Sequence, residues 1–243
     1  MSHPGGGRPA VTLIPDRERE YISDIFKEKL KGPVVLEAFL TESDECMYCG
    51  EALELIKELS ELGGGKISYS VHYAEKEPAA FEENRVLGPP TIRVSAPGAQ
   101  YYAAFSGLPA GYEFGALLED IIDASRGAPR LSPTTVSKLR SIDRDMEIWV
   151  FVTPTCPYCP RAVRMAHMFA MANPRIRGVM VEALEFPSLA EKYSVMSVPH
   201  IVINGSYTFI GALPEPMFLD HVLRAARGEV AHEVTEEGVS PLK

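Results

Sequence analysis

The 243-residue chain is 46% hydrophobic and 23% charged, an ordinary globular composition long enough for two domains. Its formal net charge of −9 argues against nucleic-acid or anionic-membrane partners, which need a basic surface. No apolar run approaches the roughly 20 residues that span a bilayer.

The N-terminus, Met1-Ser2-His3-Pro4-Gly5-Gly6-Gly7, has no apolar segment and is not read as a signal peptide, so a cytoplasmic protein is expected. Few amide side chains occur (Asn84, Asn173, Asn204 and Gln100), which together with abundant Pro, Glu and Arg suggests a thermophilic source.

Asp16 to Lys31 reads as a charged amphipathic helix opened by Pro15 and stopped by Gly32-Pro33. Val34 to Leu40 is nearly continuous in apolar residues, the pattern of a strand covered on both faces. Thr41 to Glu45 then delivers Cys46-Met47-Tyr48-Cys49 to a helix striped by Ala52, Leu55, Ile56, Leu59 and Leu62, ending at Gly63-Gly64-Gly65. Lys66 to Tyr73 alternates as a strand, and Pro78 to Arg85 suits a short helix. Pro90 then precedes a strand from Thr91 to Ser95, Gln100 to Phe105 returns beside it, and Tyr112 to Ser125 closes as a helix.

The order then repeats. Ser132-Pro133 caps a helix to about Asp143. Glu147 to Val152 is the apolar strand, and Thr153-Pro154-Thr155 delivers Cys156-Pro157-Tyr158-Cys159 to a helix broken at Asn173-Pro174. Gly178 to Phe186 reads as a strand and Pro187 to Tyr193 as a short helix. Pro199 precedes a strand from His200 to Ile203, Asn204-Gly205 makes a hairpin turn to Ser206–Ile210, and Pro216 to Arg227 ends the unit. The expected division is a unit over 14–127, a second over 128–228, and a polar tail over 229–243. Each unit reads β-α-β-α-β-β-α, an α/β design with a mixed central sheet flanked by helices, which is the order of the thioredoxin fold.

The two C-x-x-C motifs hold all four cysteines, and their matching contexts point to a duplicated thiol–disulfide redox unit. Such a catalyst needs one thiolate that attacks and a second thiol near enough to release the mixed disulfide. A pair at i and i+3 in a first helical turn meets that distance. The helix's unpaired N–H groups and dipole favour thiolate at the first sulfur. Cys46 and Cys156 are therefore expected to attack, and Cys49 and Cys159 to resolve. The competing assignment is a zinc-stapled interaction module with four thiolates, but zinc pairs usually lie closer in sequence and on turns. Acids crowd Cys46 (Glu42, Asp44, Glu45, Glu51), whereas Arg161 and Arg164 follow Cys156, so Cys156 is expected to be the better nucleophile near neutral pH. The first motif is then the more reducing of the two.

From about Asp16 to Gly228 the chain resembles the protein disulfide oxidoreductases of archaea and bacteria, which join two thioredoxin folds. The resemblance is carried best by Cys156-Pro157-Tyr158-Cys159-Pro160-Arg161-Ala162-Val163-Arg164-Met165-Ala166-His167 and by Tyr193-Ser194-Val195-Met196-Ser197-Val198-Pro199. It implies a cytosolic, thermophile-associated enzyme that reduces, forms and rearranges protein disulfides. Pro90 and Pro199 match the proline that is cis in thioredoxin-like proteins, packs beside the reactive sulfur and positions substrate backbone. Glu37, within the apolar run Val34–Leu40, is the candidate proton shuttle, since thioredoxins keep a buried acid near this strand. A solvated strand-edge Glu is the plainer alternative.

The Cys-Pro-Tyr-Cys motif is also similar to that of glutaredoxins. However, Gly211-Ala212-Leu213 lacks their double-glycine and acidic pattern, so glutathione is not expected as the preferred reductant. No Gly-rich dinucleotide fingerprint occurs, so no cofactor is expected; a thioredoxin-reductase-like NADPH flavoprotein is the expected electron donor and protein disulfides or thiols the substrates. A dedicated relay from such a flavoprotein to a peroxidase is the alternative. Tyr48 and Tyr158 are open between substrate contact and cover, while His167, Trp149 and the scattered Met residues are read as packing.

Overall fold

The computed structural model of the chain describes residues 12–230. The N-terminal stretch and all but the start of the expected 229–243 tail lie outside the described residues.

The first half runs α1 (Asp16–Lys29), β1 (Val34–Leu40), α2 (Cys49–Leu62), β2 (Ile67–Tyr73), α3 (Pro78–Glu83), β3 (Thr91–Ser95), β4 (Tyr102–Ser106) and α4 (Tyr112–Arg126). The second repeats it as α5 (Pro133–Arg140), β5 (Met146–Val152), α6 (Cys159–Ala172), β6 (Ile176–Glu182), α7 (Pro187–Lys192), β7 (His200–Ile203), β8 (Tyr207–Ile210) and α8 (Glu215–Ala226). The molecule is thus two tandem thioredoxin-like units, each a mixed sheet flanked by helices. Local chemistry sets many of the ends. Asp16 and Glu18 open α1 and Lys27 and Lys29 close it, each sign opposite to the helix dipole it meets. The Ser132 side chain accepts the Thr135 N–H at 3.2 Å, capping α5.

All eight strands form one sheet in the order β2-β1-β3-β4-β6-β5-β7-β8. Within each half the helix-linked strands pair in parallel and the hairpin strands antiparallel. The halves join where β4 runs parallel to β6, from Tyr102 opposite Arg177 to Ser106 opposite Val181. That junction explains a difference between equivalent strands. β2 is an edge and is largely half-exposed, whereas every residue of β6 is buried. Even Arg177 is enclosed, its guanidinium lying 3.5 Å over the Tyr102 ring and its Nε donating to Glu147 at 3.3 Å.

One face of the sheet carries the large core, with Leu36, Ala38 and Leu40 of β1 and Ile148, Val150 and Val152 of β5 packed against α2, α4, α6 and α8. The opposite face carries a smaller cluster around Tyr102, Phe151, Val179 and Val181. No helix among the described residues is long and apolar enough to cross a membrane.

Candidate active site

Both motifs sit where a loop leaves the end of a buried strand and enters a helix. Cys46 N–H donates to Ser43 O at 3.2 Å and Cys156 N–H to Thr153 O at 3.1 Å, so the same turn presents each first cysteine. The helices start at Cys49 and Cys159, so each first cysteine lies in the preceding turn rather than in the helix as the spacing predicts. The helix N-terminus still serves it: the Cys159 N–H lies 3.1 Å from Cys156 Sγ. Each motif is closed as a disulfide within itself, with Cα–Cα distances of 5.6 and 5.5 Å. Among the described residues, no three His, Cys, Asp or Glu side chains gather as a metal-holding group.

Exposure separates the partners. Cys46 is half-buried over Cys49, which is 8% exposed; Cys156 is 7% exposed and Cys159 fully enclosed.

The Pro89–Pro90 and Val198–Pro199 peptides are cis. Pro90 lines the same cleft as Cys46, and Cys156 Sγ lies 3.8 Å from Val198 O. Each proline carbonyl accepts a glycine N–H from the following strand's end, Gly107 to Pro90 at 2.8 Å and Gly211 to Pro199 at 2.9 Å. Met47, Tyr158, Leu184 and Met196 are exposed apolar side chains from the motifs and the neighbouring loops.

Two expectations need correction. Glu37 is not a desolvated acid beside the first motif. Its carboxylate is half-buried and paired with Arg93 at 2.9 Å, the residue opposite it on β3. Strand alternation turns it away from Leu36, Ala38 and Leu40, which pack in the core that contains Cys49. Arg164, in turn, does not serve Cys156: it is largely buried and ion-paired with Asp120 and Asp123 of α4. Exposed Arg161 is left as the nearby cation of that motif. The acidity around Cys46 is also moderated, since Lys76 pairs with Glu42.

Further buried acids lie outside the two motifs. Asp120, Asp123, Arg164 and His167 form a buried network between α4 and α6, with His167 Nδ1 at 2.6 Å from Asp120 and Nε2 at 3.2 Å from Ala104 O. Burial would raise the Asp120 carboxyl, but Arg164 and His167 overcome it and hold it below its ordinary value. Glu113, in the first turn of α4, is 1% exposed and neither oxygen has a hydrogen-bond partner among the described residues. Burial, reinforced by Asp120, pushes its carboxyl up to about 8. That turn is fixed to the loop of the second motif, because Tyr112 N–H donates to Pro154 O at 3.1 Å. Gly111, at φ 58°, permits the approach, since a Cβ there would lie 2.2 Å from Pro154 O. The readable signal was acids at 113, 120 and 123 within the otherwise apolar stripe of α4. At the end of β6, Glu182 and Glu185 turn towards the first motif's cleft. Burial raises both, Glu185 to about 7.

Residues 146–224 match the Thioredoxin_3 family model, described as a thioredoxin domain. A crystal structure of a protein disulfide oxidoreductase from Aeropyrum pernix superposes with a TM-score of 0.82 at 36% identity, covering 91% of this chain and 97% of that one. A structure of the alkylhydroperoxide reductase component AhpF, from Enterococcus faecalis, follows at a TM-score of 0.75 and 27% identity, covering 85% of this chain and 97% of that one. The same alkyl hydroperoxide reductase component of Pseudomonas aeruginosa is 25% identical over 86% of this chain, which spans 37% of that protein's length.

Proposed function

The chain belongs to the protein disulfide oxidoreductase family, and from that premise we propose that it exchanges disulfides with protein substrates at two centres, one per unit. Two tandem thioredoxin folds with two closed C-x-x-C disulfides make it a thiol–disulfide oxidoreductase. The observation that supports the assignment of roles is the exposure order within each motif: Cys46 is more exposed than Cys49, and Cys156 more exposed than Cys159. In the reductive direction the first thiolate attacks a substrate sulfur, the substrate disulfide breaks, and one substrate thiolate leaves with the electron pair. The second cysteine then attacks the mixed disulfide, releasing the other substrate thiolate and closing the motif. Oxidation and rearrangement run the same steps in other orders.

In this reading Pro90 and Pro199 present backbone to the incoming chain. Glu113, whose turn is tied to the second motif's loop, is a proton reservoir for that motif, and Glu37, the shuttle expected at the first motif, is paired with Arg93 instead. Units over 14–127 and 128–228 each carry one centre. A thioredoxin-reductase-like NADPH flavoprotein supplies electrons, consistent with the likeness to AhpF. That likeness also favours a second reading, a relay in which the first motif passes electrons to the second and on to a peroxidase.

Trapping tests the roles. With the first motif silenced as Cys46→Ser/Cys49→Ser, adding Cys159→Ser should accumulate a mixed disulfide with a reducible protein, and adding Cys156→Ser instead should not. Equal trapping by both, read by mass spectrometry, would overturn the assignment.

A further inference from the structure

The cleft at Cys46, about 490 Å³, is not built by the first unit alone. Cys46, Pro90 and Leu108 form one wall, and Glu182, Leu184 and Glu185 of the second unit face them. The wall is rigidly placed. Gly107 N–H donates to Pro90 O at 2.8 Å, and the next residue's N–H, from Leu108, donates to Glu185 Oε1 at 2.8 Å. Glu182 Oε2 accepts the Glu185 N–H at 2.6 Å. Gly107, at φ 96°, lets the carboxylates come this close, because a Cβ there would lie 2.5 Å from Glu182 Cβ.

What the wall lacks is a cation. None of the described residues lining the cleft is Lys, Arg or His. Glu182 is only 3% exposed, and its Oε1 has no hydrogen-bond partner among the described residues. A buried carboxylate with an unfilled acceptor is costly, and an incoming donor or positive charge offsets that cost. The second motif has no counterpart: Gly211 occupies the place of Gly107, and the nearest atom to a Cβ there would be Leu213 Cδ2 at 3.9 Å.

We propose that Glu182 and Glu185 are specificity residues acting across the unit boundary, so that the Cys46–Cys49 centre selects substrate cysteines flanked by Lys or Arg. The inference rests on the exchange reading above and names its substrate class at one of the two centres. Burial raises both carboxyls, Glu185 to a pKa of about 7, so the selection strengthens as pH rises through the region where Glu185 ionises. Among the described residues, the other titratable groups facing Glu185 carry no positive charge: Glu45, Tyr48 and Cys46 line the cleft, and Glu51 of α2 acts on it through space.

The test uses the full chain with Cys156→Ser and Cys159→Ser, so that only the first centre turns over. Three disulfide peptides, identical except for Arg, Gln or Glu beside the cysteine, are compared by kcat/KM at low ionic strength. The Arg peptide should exceed the Gln peptide about tenfold and the Glu peptide should fall below it, a preference that weakens with salt. In Glu182→Gln/Glu185→Gln the peptides should converge to within about twofold. In the otherwise unaltered chain the Arg-to-Gln ratio should grow from pH 6 to pH 8; thiolate ionisation cancels in that ratio, so this arm needs no folded double variant. Equal rates for Arg and Glu peptides, or a preference that survives the double Gln change, would refute the specificity while leaving exchange intact. No turnover of any peptide at the first centre would instead refute the exchange reading, and the specificity with it.

Discussion

At the scale of single residues, the cysteines were legible because their chemistry demands a fixed spacing and their contexts repeat. The prolines were legible for the same reason. Glu37 was misleading because an apolar run shows that a strand is covered without showing which face an interrupting acid takes. Its partner Arg93 lies on another strand, and no local pattern announces that pairing. The charges around the two first cysteines also differ from the sequence picture. Arg164 is spent on Asp120 and Asp123, and Glu42 on Lys76, so the contrast narrows at both ends. Glu185 and Glu182 restore part of it by adding carboxyls to the cleft of Cys46. Cys156 should therefore still react faster than Cys46 with a neutral alkylating agent near pH 7, by a few-fold, since exposed charges are screened. Single-motif variants reduced and alkylated in parallel would show it. Faster alkylation of Cys46 would mean that backbone donors outweigh side-chain charge.

At the scale of elements, α4 carries the strongest electrostatic signature. Glu113 is buried without a hydrogen-bond partner among the described residues, and its carboxyl is pushed up to about 8 from 4.5. Below the unfolded value both states hold the proton and no penalty exists. Between 4.5 and about 8 only the unfolded chain ionises, so the native state loses stability as pH rises, and the loss is complete above about 8. Glu113→Gln removes that dependence. Relative to the parent it should gain stability progressively between pH 4.5 and pH 8, reaching on the order of 5 kcal/mol, measured by urea unfolding. A constant offset across this range would mean that Glu113 is ionised in the folded protein. The sequence showed α4 as a helix but not the pairing of its buried acids, because the partners of Asp120 and Asp123 include Arg164 and His167 of α6, far away in the chain. It also ran β6 on to Phe186, because apolar residues continue there. The strand ends at Glu182, where a turn closed by Phe186 N–H to Glu182 O redirects the chain into the first motif's cleft.

At the scale of the molecule, the tandem architecture was readable from the repeated element order, and the joining of the units was not. Edge pairing between β4 and β6 leaves no local motif. Its effect shows in burial: Ile176–Glu182 is buried throughout, whereas the equivalent Ile67–Tyr73, on an edge, is largely half-exposed. Cutting between α4 and α5 would expose β6 as a long apolar edge, a template for association. The second half produced alone should therefore self-associate, and size-exclusion chromatography would reveal it; a stable monomer would show that the junction contributes little.

The central claim, that two dithiol centres exchange disulfides, is tested most directly by dithiothreitol-dependent insulin reduction across four proteins. These are the parent, Cys46→Ser/Cys49→Ser, Cys156→Ser/Cys159→Ser, and the chain with all four serines. Each single-motif variant should retain catalysis at a reduced rate and the four-serine chain should fall to the uncatalysed rate. A four-serine chain as active as the parent would contradict the account.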